Sequence, residues 1–95
     1  MKKPLVANHL PPKGQRDFLI NTRYGFQIYG DAFTGYGEAM TNTIMKEGTF
    51  EPETIALMGR LLRPGFNMLN LGVHTGLEAM VAANIVGENG HLYLF

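Results

Sequence analysis

The chain contains no cysteine. That absence removes a disulfide framework, a thiolate zinc site and a cysteine nucleophile together, and it fits a reducing cytoplasm. An excess of charge of either sign is also missing. Eight basic residues balance eight acidic ones, so no net field draws the chain to nucleic acid or to an anionic membrane. Long apolar runs are lacking as well. Met1 to Pro12 holds two lysines and only the short stretches Leu5-Val6-Ala7 and Leu10, without the continuous apolar segment of a secretory signal. No run approaches the roughly 18 apolar residues of a membrane span. The expected partner is a small molecule, in a cytoplasmic protein with no nucleic-acid or membrane role.

What remains is a 95-residue chain with 45% hydrophobic content, the composition of one globular domain. A chain this short buries a smaller share of its surface than a larger domain, which thins its stability margin. The pattern along it predicts an α/β fold. Residues 1–16, with Pro4, Pro11 and Pro12, read as an irregular arm. Residues 17–65 read as a leader. It opens with a hairpin, Asp17 to Thr22 and Phe26 to Tyr29, turning at Arg23-Tyr24-Gly25. A glycine-rich loop over 30–37 leads to a helix from about Glu38 to Glu47, stopped by Gly48. A second helix takes Thr49 or Glu51 as its cap, Pro52 in its first turn and the apolar stripe Ile55, Met58, Leu61 and Leu62, and ends at Pro64-Gly65.

Residues 66–95 read as one β-α-β unit. Phe66 to Leu71 has the apolar character of a buried strand. Thr75 to Val86 is expected to be helical, with Leu77, Met80, Val81, Asn84 and Ile85 along one side and Ala79, Ala82 and Ala83 for close packing on a sheet. Gly87 stops it, and His91 to Phe95 is the second strand.

The stretch that carries chemistry is Asn70-Leu71-Gly72-Val73-His74-Thr75-Gly76, between strand and helix. Glycine there lets backbone approach a ligand closely, and a helix start offers unpaired N–H groups to a carboxylate or a pyrophosphate. Tight strand-to-helix turns also take glycine for steric reasons alone. Elsewhere the residues favour structural roles. Tyr24, Tyr29 and Tyr36 suit packing with wet hydroxyls, the methionines suit core filling, and His9 and His91 have no partners at ligand spacing, so no metal site is expected.

Leu62-Arg63-Pro64-Gly65, the strand ending Leu69-Asn70-Leu71-Gly72, then Gly76, Ala82-Ala83, Val86-Gly87-Glu88-Asn89-Gly90 and His91 to Phe95 resemble the FkbM-type S-adenosylmethionine-dependent methyltransferases. In that family, leucine–x–proline–glycine precedes a strand ending Asp-Val-Gly-Ala-Asn-Ile-Gly. An alanine-rich helix, a Val-Gly-x-x-Gly turn and a strand ending Phe-Glu-Pro follow. The likeness covers residues 17–95 and is specific over 62–95. It implies the N-terminal portion of a Rossmann-like class I methyltransferase fold, with hairpin and helical leader and then the first β-α-β unit. It implies S-adenosylmethionine as cofactor, held by Asn70, Leu71, Gly72, Val73, His74 and Gly76, with Glu51 approaching from the leader. The acceptor it implies is a hydroxyl of a sugar or natural product.

The chain departs from the family pattern at Asn70, where the family has an acid, and at His74, where it has asparagine. Loss of that charge weakens contact with the ammonium of the cofactor. The acidic residue that grips the ribose in the family would follow Phe95, and the chain is expected to be a truncated, inactive fragment. No residue is an obvious general base, although His74 has the right chemistry. Two other readings stand beside this one. A nicotinamide dinucleotide-binding module shares the topology, yet its Gly-x-Gly-x-x-Gly spacing fits poorly. A non-catalytic remnant would act by pairing, and a homo-oligomer formed through an exposed sheet edge is the expected consequence.

Overall fold

The computed structural model describes residues 5–12, 18–32 and 35–95. The chain divides into two units, one running to Phe50 and the other from Glu51 to Phe95. Both mix helix and strand, so the α/β class expected from the sequence is what the chain adopts.

The first unit holds a three-stranded mixed sheet and one helix. β2 (Phe18–Asn21) is central; β3 (Gln27–Tyr29) pairs with it antiparallel, and β1 (Leu5–Val6) pairs on its other side in parallel. The hairpin β2–β3 turns at Gly25, whose φ of 86° only glycine adopts readily. Asp17, expected to open it, lies outside the described residues. Strand β1 differs from the irregular arm predicted for residues 1–16. The apolar pair Leu5-Val6 adds to the free edge of β2, and the Ala7 amide donates to the Leu19 carbonyl at 2.8 Å. Prolines flanking an edge strand cost no ladder bond, which is why proline content misleads here.

Helix α1 (Gly35–Glu47) packs on β2. It starts three residues earlier than predicted, because glycine at a helix N-terminus interrupts little and Met40, Thr41 and Ile44 anchor the following turns. The core of the unit is Ala7, Phe18, Ile20, Ile28, Ala32, Met40 and Ile44. The Thr41 hydroxyl, fully buried, accepts from the Asp31 amide at 2.8 Å. The hairpin is tied to the end of α1 by the Arg23 amide, which donates to the Gly48 carbonyl at 2.8 Å, and by a 2.6 Å hydrogen bond between the Tyr24 hydroxyl and the Thr49 hydroxyl.

The second unit runs α2 (Pro52–Leu61), β4 (Asn67–Asn70), α3 (Leu77–Val86), β5 (His91–Leu94). Because α2 packs on α3, it belongs with the β-α-β segment and not with the leader predicted over 17–65. Neither predicted cap of α2 acts through its side chain. Thr49 is committed to Tyr24, and Glu51 is the N-cap residue in the left-handed region without a side-chain cap bond. Arg63, just beyond the helix, donates to the carbonyls of Arg60 and Leu62 at 2.9 Å each, which satisfies the carbonyls of the helix end.

Strands β4 and β5 are parallel and in register from Asn67 opposite His91 to Asn70 opposite Leu94. Helix α3 packs against both. Its buried residues are Leu77, Ala79, Ala82 and Val86. Of the three alanines expected to pack on the sheet, Ala79 and Ala82 are buried and Ala83 half-buried; of the residues read along one side, Met80 and Asn84 are exposed. β4 is not the buried strand its composition predicts. Asn70 is buried and Met68 half-buried, whereas Asn67 and Leu69 are exposed. Along β4, burial therefore alternates between a covered side at Met68 and Asn70 and an exposed side at Asn67 and Leu69, while in β5 only Leu92 is half-buried.

Among the glycines of the unit, Gly90, where the chain enters β5, has the least room. A Cβ there would stand 2.5 Å from Val86 Cβ and 2.6 Å from the Phe66 carbonyl oxygen.

Candidate functional site

Asn70 ends β4 on the covered side of the sheet, and the chain then turns from strand to helix through Leu71 to Gly76. Three residues of this turn lie in the left-handed region: Gly72 at φ 75°, His74 at 52° and Gly76 at 85°. Gly76 is the N-cap residue of α3 and makes no side-chain cap bond. Ideal Cβ atoms built on Gly72 and Gly76 meet nothing within 4 Å. The turn thus opens onto free space and not onto packed side chains, as a ligand-facing turn requires.

Its amides are less available than its glycines suggest. The Gly72 amide donates to the Phe95 main-chain oxygen at 2.7 Å and the Val73 amide to the same oxygen at 3.3 Å. The Gly76 amide donates to the Val73 carbonyl at 3.0 Å. What the turn offers a ligand therefore shifts toward its second half, at the beginning of α3. There the Thr75 hydroxyl is buried with no hydrogen-bond partner, a costly arrangement for a polar atom.

The charged groups beside the turn are acidic. Glu78, in the first turn of α3, has its pKa raised above the ordinary carboxylate value of 4.5. Partial burial is the main cause and the Glu51 carboxylate the second, while His74 acts in the opposite sense. Glu78 therefore feels the charge of both Glu51 and His74. Glu51 and His74 are also the two non-glycine residues with positive φ among the described residues. Non-glycine backbone in this region is uncommon, and such conformations concentrate at functional sites.

Of the residues singled out in the sequence, Asn70 to Gly76 form one continuous turn, and Glu51 lies in electrostatic reach of its far end. Glu78 escaped sequence reasoning. An acid in the first turn of a helix is ordinarily explained by the helix dipole alone, and its place two residues after Gly76 was the available signal. Tyr24, Tyr29 and Tyr36 belong to the first unit. Tyr24 stacks on Phe26 with ring centroids 6.3 Å apart, and Tyr29 and Tyr36 are exposed. Among the described residues no group of three or more His, Asp or Glu side chains could hold a metal ion, and no helix is long and apolar enough to cross a membrane.

Comparison of the chain with protein-family models, curated proteins and solved structures finds no match.

Proposed function

We propose that residues 51–95 are the cofactor-binding β-α-β unit of an S-adenosylmethionine-dependent methyltransferase, in the manner of the FkbM-type enzymes that the sequence resembles. The observation that carries this reading is the turn Gly72–Gly76. It follows a parallel strand, leads into a helix, holds three left-handed residues and opens onto unoccupied space. Ligands of open α/β sheets bind in this position, beyond the carboxyl ends of the strands. The acidic surroundings favour a zwitterionic ligand over a pyrophosphate. Glu78 follows Gly76 by two residues and feels the charge of Glu51, so a dinucleotide would bring its two negative charges toward acids, and these acids would stand in for the negative charge that Asn70 does not supply.

In this proposal Gly72, Val73 and Gly76 shape the floor of the site, His74 borders it, and Glu51 with Glu78 attracts the ammonium of the methionine end. Methyl transfer from a sulfonium requires an in-line approach and exclusion of water more than side-chain chemistry. The acceptor is a hydroxyl compound. Isothermal titration of the chain with S-adenosylmethionine and with a nicotinamide dinucleotide tests the reading. Saturable binding of the first alone, lost in Gly76→Val, is the expected result. Heat only from the dinucleotide, or from neither, rejects it.

A non-catalytic remnant is the second reading. It is favoured by the engagement of the Gly72 and Val73 amides with Phe95, which removes two donors from any ligand. Titration separates the two readings, because a remnant takes up no cofactor.

A further inference from the structure

We propose that the Asn89–Gly90 peptide is a self-modifying site, at which the asparagine converts to aspartate and isoaspartate when the turn before β5 opens. Asn89 alone among the asparagines of the chain precedes a glycine; every other one precedes a residue with a side chain. Gly90 has no Cβ to shield its amide nitrogen. Having lost its proton to water, that nitrogen attacks Cγ of Asn89. The new N–Cγ bond closes a five-membered succinimide, the Cγ–Nδ2 bond breaks, and ammonia leaves with a proton taken back from water. A second water then opens the ring at either carbonyl. Opening at the main-chain carbonyl leaves the chain running through Cβ, one methylene longer. Both products exchange a neutral amide for a carboxylate beside Glu88.

The closed turn holds this reaction off. The Gly90 amide donates to the Gly87 carbonyl at 3.2 Å, closing a turn with Glu88 and Asn89 at its centre. Both central residues have negative φ, because the non-glycine residues with positive φ are Glu51 and His74. A hydrogen-bonded turn of this kind is type I, in which ψ of the third residue is about 0°. At that angle the Gly90 nitrogen eclipses the nitrogen of Asn89 itself, whereas ring closure requires it to eclipse Cβ. The amide must therefore leave Gly87, and the backbone must rotate, before attack. Once the longer isoaspartyl link has formed, the turn cannot close as before. Gly90 has no space to take up the added length, since even a Cβ on it would stand 2.6 Å from the Phe66 carbonyl oxygen and 2.5 Å from Val86 Cβ. That same carbonyl receives the His91 amide at 3.3 Å and anchors the start of β5. Modification at Asn89 thus releases the start of β5 from β4 and α3. These contacts all lie within the second unit, and they are independent of which ligand the strand-to-helix turn holds.

Peptide mapping by mass spectrometry of the 95-residue chain, aged at neutral pH with and without guanidinium chloride, tests the proposal. The mass gain of an amide turned into an acid should collect on the peptide carrying Asn89, as two isomers. It should be absent from Asn89→Gln, whose longer side chain cannot form the five-membered ring. With the turn abolished by denaturant the reaction should run about ten- to a thousandfold faster, the reciprocal of the fraction of time the turn stands open in the folded chain. The purified isoaspartyl form should melt several degrees below both the unreacted chain and Asn89→Asp, which carries the same charge on a backbone of normal length. Equal rates with and without denaturant overturn the proposal, as does a folded chain that reacts more slowly than this range or mainly at other asparagines. An isoaspartyl form as stable as Asn89→Asp overturns the release of β5.

Discussion

Replacing Gly90 with alanine adds a single methyl group at the glycine of the second unit with the least room. That methyl would meet Val86 Cβ at 2.5 Å, Phe66 O at 2.6 Å and Val86 Cγ2 at 2.7 Å. A flexible side chain could rotate away, but the carbonyl is backbone and accepts a hydrogen bond from the His91 amide at 3.3 Å. Val86 is itself buried and closes the last turn of α3. Relief therefore requires β5 to move from β4, or the end of α3 to lift from the sheet. Overpacking of this kind costs about 1–3 kcal/mol. In a chain of this size each kcal/mol lowers the melting temperature by roughly 4–8 °C, so a fall of about 5–20 °C is expected. Thermal unfolding followed by circular dichroism at 222 nm reads it directly. A Gly90→Ala chain that melts at or above the parent temperature would refute the close approach of β5 to β4 and α3, and the parallel pairing with it.

Gly59 offers the converse case. It lies within α2, exposed, with nothing within 4 Å of an added Cβ, so Gly59→Ala should stabilise the chain by about 0.5–1 kcal/mol, read as a higher urea midpoint. Tyr24→Phe strands the buried Thr49 hydroxyl and should cost about 1–3 kcal/mol, whereas Tyr24→Phe with Thr49→Val should recover part of that loss; equal stability of the single and double variants would discount the bond. Glu78 holds its proton more tightly in the folded chain than in the unfolded one. Its favourable contribution is therefore complete below the ordinary value of 4.5 and fades as pH rises through the raised folded value. Glu78→Gln should flatten this part of the stability profile and gain on the parent chain toward neutral pH, and identical profiles in denaturant titrations from pH 4 to 7 would contradict the coupling.

The helices and the β-α-β segment were legible because their signals are local. Pro52 with the Ile55–Met58 stripe marks α2, and the glycine at 87 marks the end of α3. The alternation of Phe26 to Tyr29 and the glycine at 25 gave the hairpin for the same reason. Strand β1 was not legible, because two residues carry no period and pairing at the edge of β2 is a tertiary event. Composition also failed for β4. An apolar run reads as buried wherever it lies, and only the placement of α3 decides which face is covered. At the candidate site the glycines were readable, and the destination of their amides was not. The acceptor for the Gly72 amide, and for that of Val73 beside it, lies more than twenty residues away at Phe95, at the close of a strand paired in parallel. Glu78 went unnoticed because its neighbour Glu51 comes from another helix.

The Phe95 oxygen receives two N–H groups from consecutive residues of the opposite segment. The loop and the tip of the neighbouring strand are in that respect one mechanical piece. A molecule that pries the loop away from its resting position must also unseat this tip, and it works against both bonds at once. Tyr93 lies two residues before the shared oxygen and is half exposed, so its emission, in a chain whose other three tyrosines are replaced by phenylalanine, would distinguish a displaced loop from one merely decorated.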